Sequence, residues 1–487
     1  MKKLILPLFV GNSLHIAAGL ESAIKLHKDF SILEIHLLAS KTPYPSRMSR
    51  SLDFPTFRSN RFFKKLDLQD YFSKVDFKYN LEFDWTSYTK EIDSINSQLL
   101  GKVNLSDLME IQLNEINLGG PLANAYAAES IIDSGRELNS KLLQRLAASY
   151  LRVFLHAKES MRKSSCELLI YNGRFLHERA FLDASKSVNS KYWIYETTQN
   201  RFHLRNEGFH DRKRNQFFMV EHWQKSQHSV SKKCQIAAEY FETLKSPRNK
   251  FFTNLATTFN HDLFALPYLV YYSNSDDEAI GFWDSWQTPL GPQVEVVKQL
   301  REICKELKIR LIIRLHPNLK NKAIEIQNKW REIPSDQLCT VIEPENPLSS
   351  YELLEKSMGV LTFGSTMGLE AAYYKKPSAV LADCLYDELG AVDKIESFDD
   401  LRDWIMRVKT HKTNNFIEER RIAACVRGFW QRTGGSKLSY TLTEEVGEGA
   451  FRATSFQGNS MRLFNRRISI PILSNSLKRS MQRMKLT

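Results

Sequence analysis

Two series of short apolar runs alternating with helix-spaced segments predict an α/β protein made of two Rossmann-like, doubly wound domains. In the first series, residues 3–10 form a continuous apolar run, residues 14–27 repeat apolar side chains at helical spacing, and Ile32–Leu38 is a second run. Strand, helix and strand at that spacing form a βαβ unit, whose crossover requires a parallel sheet. The second series begins at Pro267 and alternates without interruption to about residue 409.

Taken in order, the first series is interrupted. From about 60 to 160 the sequence turns helical and aromatic, with no Gly or Pro between Leu81 and Leu100 and a long amphipathic stretch from Ser140 to Arg162. This predicts a helical insertion. Strands resume at Glu167–Tyr171 and Tyr192–Tyr195, and after a stretch of weak periodicity a helix is expected near Lys232–Leu244. The second series gives strands at Tyr268–Tyr272, Arg310–Leu315, Cys339–Ile342, Met358–Phe363 and Ser378–Ala382, with helices at 293–307, 320–331, 350–357, 366–375 and 398–409. The expected domains are therefore 1–260, with the insertion, and 261–435, followed by a basic tail at 436–487. Two such domains facing a cleft form the GT-B architecture of many glycosyltransferases.

Composition narrows the function classes. A chain of 487 residues, 42% hydrophobic, can bury two or three cores. Its first apolar run is too short for a secretory leader and reads as a buried strand, and no window approaches the ~20 apolar residues of a membrane span. The six cysteines (Cys166, Cys234, Cys304, Cys339, Cys384, Cys425) lie far apart, which fits neither a zinc site nor a disulfide framework and points to the cytoplasm. Of the net charge of +12, eight charges belong to the last 39 residues, where Arg452, Arg462, Arg466, Arg467, Lys478, Arg479, Arg483 and Lys485 meet no acid. A nucleic-acid partner is not expected from a body so nearly balanced. Residues 449–487 interleave these cations with apolar side chains, and Pro471 divides them into two short amphipathic pieces suited to an anionic membrane surface. A solvated tail, or one packed back on the first domain, fits the pattern equally.

In parallel sheets of this kind, ligands bind at the carboxyl ends of strands. Around Phe363 an apolar strand runs into Gly364-Ser365-Thr366 and a short helix, a turn where a phosphate meets free N–H groups and two hydroxyls. Glu370, one helical turn on, stands where a carboxylate can take ribose hydroxyls. The same residues also read as a turn glycine and an N-cap. Arg314-Leu315-His316-Pro317 ends the second strand of that sheet, because proline cannot donate to a ladder, and this puts the imidazole at the tip. There His316 can ease departure of a nucleoside phosphate. The loop after the first strand, Ser273-Asn274-Ser275-Asp276-Asp277-Glu278, offers the hydroxyls of Ser273 and Ser275 to phosphate and its three acids, Asp276 and Glu278 among them, to a metal or as a base, and reads equally as a solvated turn. In the first domain Gly11 and Asn12 end the first strand, Asn172-Gly173-Arg174 the next, and Glu196 the one after. Arg174 can receive an anion bidentately or pair with Glu178. Glu196 can deprotonate an acceptor hydroxyl in an inverting transfer.

Tyr171-Asn172-Gly173-Arg174-Phe175, Arg314-Leu315-His316-Pro317-Asn318 and Phe363-Gly364-Ser365-Thr366-Met367-Gly368-Leu369-Glu370-Ala371, in this order, resemble the bacterial capsule-polysaccharide glycosyltransferases, a GT-B group related to Kdo transferases. Ser349-Ser350-Tyr351 is similar to that group as well. The resemblance implies transfer from a nucleotide-activated sugar, of CMP, UDP or GDP type, to a growing glycan or glycolipid at the inner membrane face. It implies donor-phosphate contacts from the His-Pro and Ser-Thr positions. Beyond the nucleotide-sugar substrate no cofactor is expected to be required, and no metal site is assigned. Alternatives within the same residue pattern are a CDP-alcohol phosphotransferase, a sugar-nucleotide epimerase and a non-catalytic sugar-nucleotide-binding protein.

Overall fold

Along the first body the chain forms β1 (Lys3–Leu8), α1 (Ser13–Leu26), β2 (Ile32–Leu37), β3 (Lys74–Tyr79), α2 (Thr89–Leu99), the hairpin of β4 (Gln112–Leu113) and β5 (Ile116–Asn117), α3 (Gly119–Glu129), α4 (Ser140–Arg162), β6 (Cys166–Tyr171), α5 (Leu176–Ser187), β7 (Tyr192–Thr198) and β8 (Arg201–Arg205). This computed structural model describes residues 2–8, 13–37, 66–79, 89–99, 108–113, 116–129, 140–162, 165–198, 201–206, 208, 211–245, 266–274, 288–321, 324–412, 416–439, 441–444, 451–457 and 459–460. The large sheet has the order β3-β2-β1-β6-β7-β8, extended past β8 by a strand from the far end of the chain. Strands β3 to β7 are parallel, and β8 turns back antiparallel on β7. β1 and β6 are buried on both faces, so they read as unbroken apolar runs.

β3 was not expected inside a helical insertion. It pairs in register with β2, from Ile32 opposite Lys74 to Leu37 opposite Tyr79. As an outer parallel strand its Lys-Val-Asp-Phe-Lys-Tyr alternates polar and apolar, where the inner strands do not. The rest of the insertion is helical. α4 lays Leu143, Leu146, Tyr150 and Phe154 over α5, forming with α2, α3 and β6 one core beneath the sheet. On the opposite face α1 packs so closely over β7 that a Cβ on Gly19 would lie 2.6 Å from the Tyr195 hydroxyl.

The second body holds α6 (Arg212–Lys225), α7 (Val230–Lys245), β9 (Tyr268–Tyr272), α8 (Gln293–Glu306), β10 (Arg310–Arg314), α9 (Ile324–Arg331), β11 (Cys339–Ile342), α10 (Ser350–Lys356), β12 (Gly359–Thr362), α11 (Met367–Tyr373), β13 (Ser378–Val380), β14 (Asp393–Lys394), α12 (Phe398–Lys409) and α13 (Ile417–Thr433). Its sheet is wholly parallel, in the order β11-β10-β9-β12-β13-β14. The first strand sits inside and the order reverses beside it, which is the doubly wound arrangement.

The boundary between the bodies differs from the expected cut near residue 260. α6 and α7 belong to the second body: Cys234, Ala237, Tyr240 and Phe241 share a core with Leu369, Tyr373, Tyr386 and Phe429. The Phe241 ring stacks on Tyr373 with centroids 3.9 Å apart. Buried Arg212 is bound to Asp387 at 2.5 Å, Asp383 at 3.2 Å and Glu388 at 3.2 Å. The chain thus crosses over after β8 and crosses back after α13, where β15 (Ser436–Lys437) pairs with β8. Arg201 fixes this return by donating to the carbonyls of Thr433, Gly434 and Gly435. Beyond it, β16 (Thr441–Glu444), β17 (Phe451–Phe456) and β18 (Asn459–Ser460) form a small antiparallel sheet whose long strand lies against α1. The amphipathic pieces expected after residue 460 lie outside the described residues. Among the described residues no helix is long and apolar enough to cross a membrane, and all six cysteines are buried and free.

Candidate active site

The carboxyl ends of β9, β10 and β12 meet in the second body. Ser273, the residue after β9, is buried, and its hydroxyl accepts a hydrogen bond from the His316 N–H at 2.7 Å, tying the β9 and β10 tips together. Asn274 is set by Gln293 at the start of α8: the Asn274 N–H donates to Gln293 Oε1 at 2.8 Å, and the Tyr271 hydroxyl donates to the same oxygen at 3.0 Å. The turn after β12 closes on this pair. Gly364 adopts a φ of 105°, and a Cβ there would come within 3.2 Å of Cys384 Cβ and 3.8 Å of Asn274 Nδ2. No side chain fits without displacing one of these walls.

Ser365 and Thr366 follow, half-buried and exposed respectively. The Ser365 hydroxyl accepts from the Met367 N–H at 3.4 Å, and the Tyr386 hydroxyl donates to the Ser365 carbonyl. Thr366 occupies the N-cap position of α11 without a side-chain cap bond, and hydrogen-bonds the Glu370 carboxyl instead. His316 is half-buried at the β10 tip, and Pro317 opens a single 3-10 turn, Pro317–Asn321. The three expected strand tips are therefore adjacent, braced by Asn274, Gln293 and Tyr386, which sequence reasoning did not single out.

Two expected donor contacts face inward. Arg314 is buried, with its guanidinium donating to the carbonyls of Glu343 at 2.6 Å and Asn346 at 2.9 Å. Those two carbonyl bonds commit it to the loop after β11. Glu370 is 3% exposed and accepts from the Tyr351 hydroxyl. Burial pushes its carboxyl up, against lowering by Tyr351, Thr366 and Arg427. One turn into α11, it faces α10 and α13 rather than the strand tips, so it is not displayed to a ribose. Ser275, Asp276, Asp277 and Glu278 lie outside the described residues, as do Gly11 and Asn12.

In the first body the tips of β6 and β7 converge. Asn172 and Gly173 both have positive φ, 54° and 76°, the left-handed pair that an Asn-Gly turn provides. Asn172 Oδ1 accepts from the Arg174 N–H at 3.1 Å, while its Nδ2 donates to Glu196 Oε2. Glu196 also accepts from the Thr197 N–H at 3.2 Å and from the Tyr171 hydroxyl. Burial pushes this carboxyl up, and those three donors together with Arg174 pull it back. The Arg174 guanidinium lies over the Phe175 ring, 5.0 Å from its centroid. The alternative Arg174–Glu178 ion pair is absent: among the described residues Glu178 meets no cation. Glu178 is buried instead beside His15, Tyr171 and Tyr195, a group the sequence did not announce.

No protein-family profile and no curated protein sequence matches the chain. Among solved structures, its neighbours include the β-Kdo 2,4-transferase of KpsC from Thermosulfurimonas dismutans, at 12% identity and a TM-score of 0.35 over 56% of this chain and 85% of that one. The β-Kdo 2,7-transferase of the same protein is 10% identical, with a TM-score of 0.35 over 61% of this chain and 86% of that one. UDP-GlcNAc 2-epimerase from Neisseria meningitidis bound to UDP-GlcNAc is 11% identical, with a TM-score of 0.27 over 88% of this chain and 97% of that one. At these scores the likenesses do not decide what this chain does.

Proposed function

We propose that the protein is an inverting glycosyltransferase that moves a sugar from a nucleotide-activated donor to a surface-polysaccharide acceptor. The observation that carries this is the joining of the β9, β10 and β12 tips through the Ser273–His316 hydrogen bond and the contact of Asn274 with Gly364. In doubly wound sheets such a place, beside the strand where the order reverses, receives nucleotides. Donor phosphate lies between His316 and the Ser365-Thr366 turn. Glu196, in the other body, takes the proton of an acceptor hydroxyl as that oxygen attacks the anomeric carbon. The bond from that carbon to phosphate oxygen breaks, and His316 with the turn N–H groups stabilises the charge left on the departing nucleoside phosphate. No metal or cofactor has a role in this scheme. Residues 461–487, which carry seven of the eight basic residues of the 449–487 tail, hold the enzyme at the anionic cytoplasmic face of the membrane, where a glycolipid acceptor resides, while β17 keeps the first part of that tail against α1.

A thermal-shift panel of CMP, CDP, UDP and GDP tests the donor site, since a nucleotide that binds only the folded protein raises its melting temperature according to its affinity. The stabilising nucleotide's sugar conjugates are then assayed for slow donor hydrolysis and for transfer. A stabilised protein that releases an altered nucleotide sugar without acceptor is an epimerase instead. One that binds and never hydrolyses is a non-catalytic binding protein.

A further inference from the structure

Where β1 and β6 diverge in the first sheet, His15, Tyr171, Glu178 and Tyr195 line a cavity of about 10 Å³, room for about one water-sized group. Two of these side chains have unused hydrogen-bonding capacity. Glu178 is 3% exposed, and its carboxyl takes only its own backbone N–H among the described residues. His15 stacks on Tyr171 with centroids 3.9 Å apart and an interplanar angle of 23°, and its Nδ1 is buried without a partner. A buried polar atom left this way is costly unless something fills the place.

The lining decides what fits. Burial pushes the Glu178 carboxyl up to about 8, so near neutrality it is a neutral acid that donates, and burial lowers His15 to about 3, so its imidazole is neutral as well. The volume excludes a phosphate or carboxylate. Two neutral groups, one giving and one with a ring nitrogen of either tautomer, match a group that both donates and accepts, which is a hydroxyl. The cavity also adjoins Glu196, because Tyr171 stacks on His15 and hydrogen-bonds the Glu196 carboxyl.

We infer that Glu178 and His15 form a hydroxyl-recognition subsite for the acceptor sugar, seating one hydroxyl while a neighbouring hydroxyl of the same ring meets Glu196. The subsite deepens the glycosyltransferase proposal and rests on it. Glu178 and His15 are positioning residues that fix which acceptor oxygen reaches the base.

The test uses the full chain labelled with ¹⁵N-histidine, glycerol as the smallest polyol probe, and the His15 resonance assigned by its loss in His15→Phe. Glycerol is expected to shift the His15 ring signals saturably, and Glu178→Leu to weaken this response at least tenfold. In the wild type the response should fall as pH rises through about 8, because ionised Glu178 no longer donates, and in Glu178→Gln it should be flat over that range. The titratable groups around Glu178 are His15 from α1, Tyr171 from β6 and Tyr195 from β7; Glu196 is bonded by Tyr171, and Tyr150 from α4 donates to Asp183. His15 titrates far below this window, and burial raises all three tyrosines above it. Glu196 is probed separately by Glu196→Gln, in which the fall near pH 8 should persist. No response to glycerol, an equal response in Glu178→Leu, or a pH-flat wild type overturns the subsite. A wild type that is stabilised by a nucleotide yet silent to glycerol defeats the subsite alone, whereas one stabilised by no nucleotide defeats the glycosyltransferase proposal.

Discussion

The carboxyl edges of the two sheets are built on opposite principles. In the second body the tips satisfy one another: Ser273 accepts from His316, Gln293 locks Asn274, and Arg314 is spent on two carbonyls. Among the described residues, what remains for a ligand there is backbone, the His316 imidazole and the hydroxyls of Ser365 and Thr366. In the first body the tips carry two carboxyl groups, Glu178 and Glu196, both pushed up by burial, the first without a cation and the second restrained by Asn172, Thr197 and Tyr171. A rigid, neutral frame suits an anionic ligand whose charge must not be opposed. Acids of unequal environment suit proton transfer and hydroxyl recognition. Under the proposed function, the donor and acceptor sides differ in the charge of their strand tips.

Four substitutions probe that contrast. The largest effect is expected from Arg212→Ala, which removes the guanidinium that ion-pairs with buried Asp387 and Asp383. Stability should fall by about 3–5 kcal/mol, measured by denaturant titration. A loss below 1 kcal/mol means α6 is not what anchors the second body. Next, His316→Ala should lower turnover by ~100-fold while the fold persists. Wild-type activity and nucleotide affinity in a folded variant remove phosphate from the β10 tip. Glu196→Gln should reduce transfer by at least ~10-fold with nucleotide affinity almost unchanged. If Asp276→Asn or Glu278→Gln does so instead, the base belongs to the second body and the contrast between the edges fails. The smallest change is Gly364→Ala, which strains a φ of 105° against Cys384 and should cost about 1 kcal/mol or more of stability together with nucleotide affinity. Unaltered melting and binding would show that the turn adapts.

Much of the second body was legible because parallel strands buried on both faces are unbroken apolar runs, as Tyr268–Tyr272 is; that strand and the half-buried edge strand Cys339–Ile342 were both bounded to the residue. His316 and Gly364 announced themselves through a proline and a glycine that end strands. What escaped notice did so for physical reasons. α6 buries Arg212, Asn215 and Gln216 alongside Met219, so its inward face is polar and carries no apolar period. Glu178 sits beside Arg179, which pairs with Asp183 at 2.8 Å on the side of α5 that meets α4, and a run of charges on one helix reads as a solvated face. Only the tertiary neighbours show that Glu178 points the other way. Arg314 misled for the converse reason: next to a His-Pro tip it resembles a ligand contact, whereas its guanidinium is taken by the carbonyls of Glu343 and Asn346.

The double crossing between the bodies governs how this chain acquires its structure during synthesis. α7 is complete at Lys245, yet its partner α13 ends at Thr433, so the apolar face of Ala237, Tyr240 and Phe241 waits for nearly the whole second body to emerge. At ~5–20 residues per second that interval is on the order of 10–40 s, with an unpartnered hydrophobic helix exposed throughout. A fragment ending near residue 260, where the sequence suggests a domain border, would carry that face permanently and would lack β15, the strand that borders β8. The two bodies are therefore separate in architecture but not in biogenesis: the first is not a contiguous stretch of sequence, and each is finished only when the last third of the chain has been made.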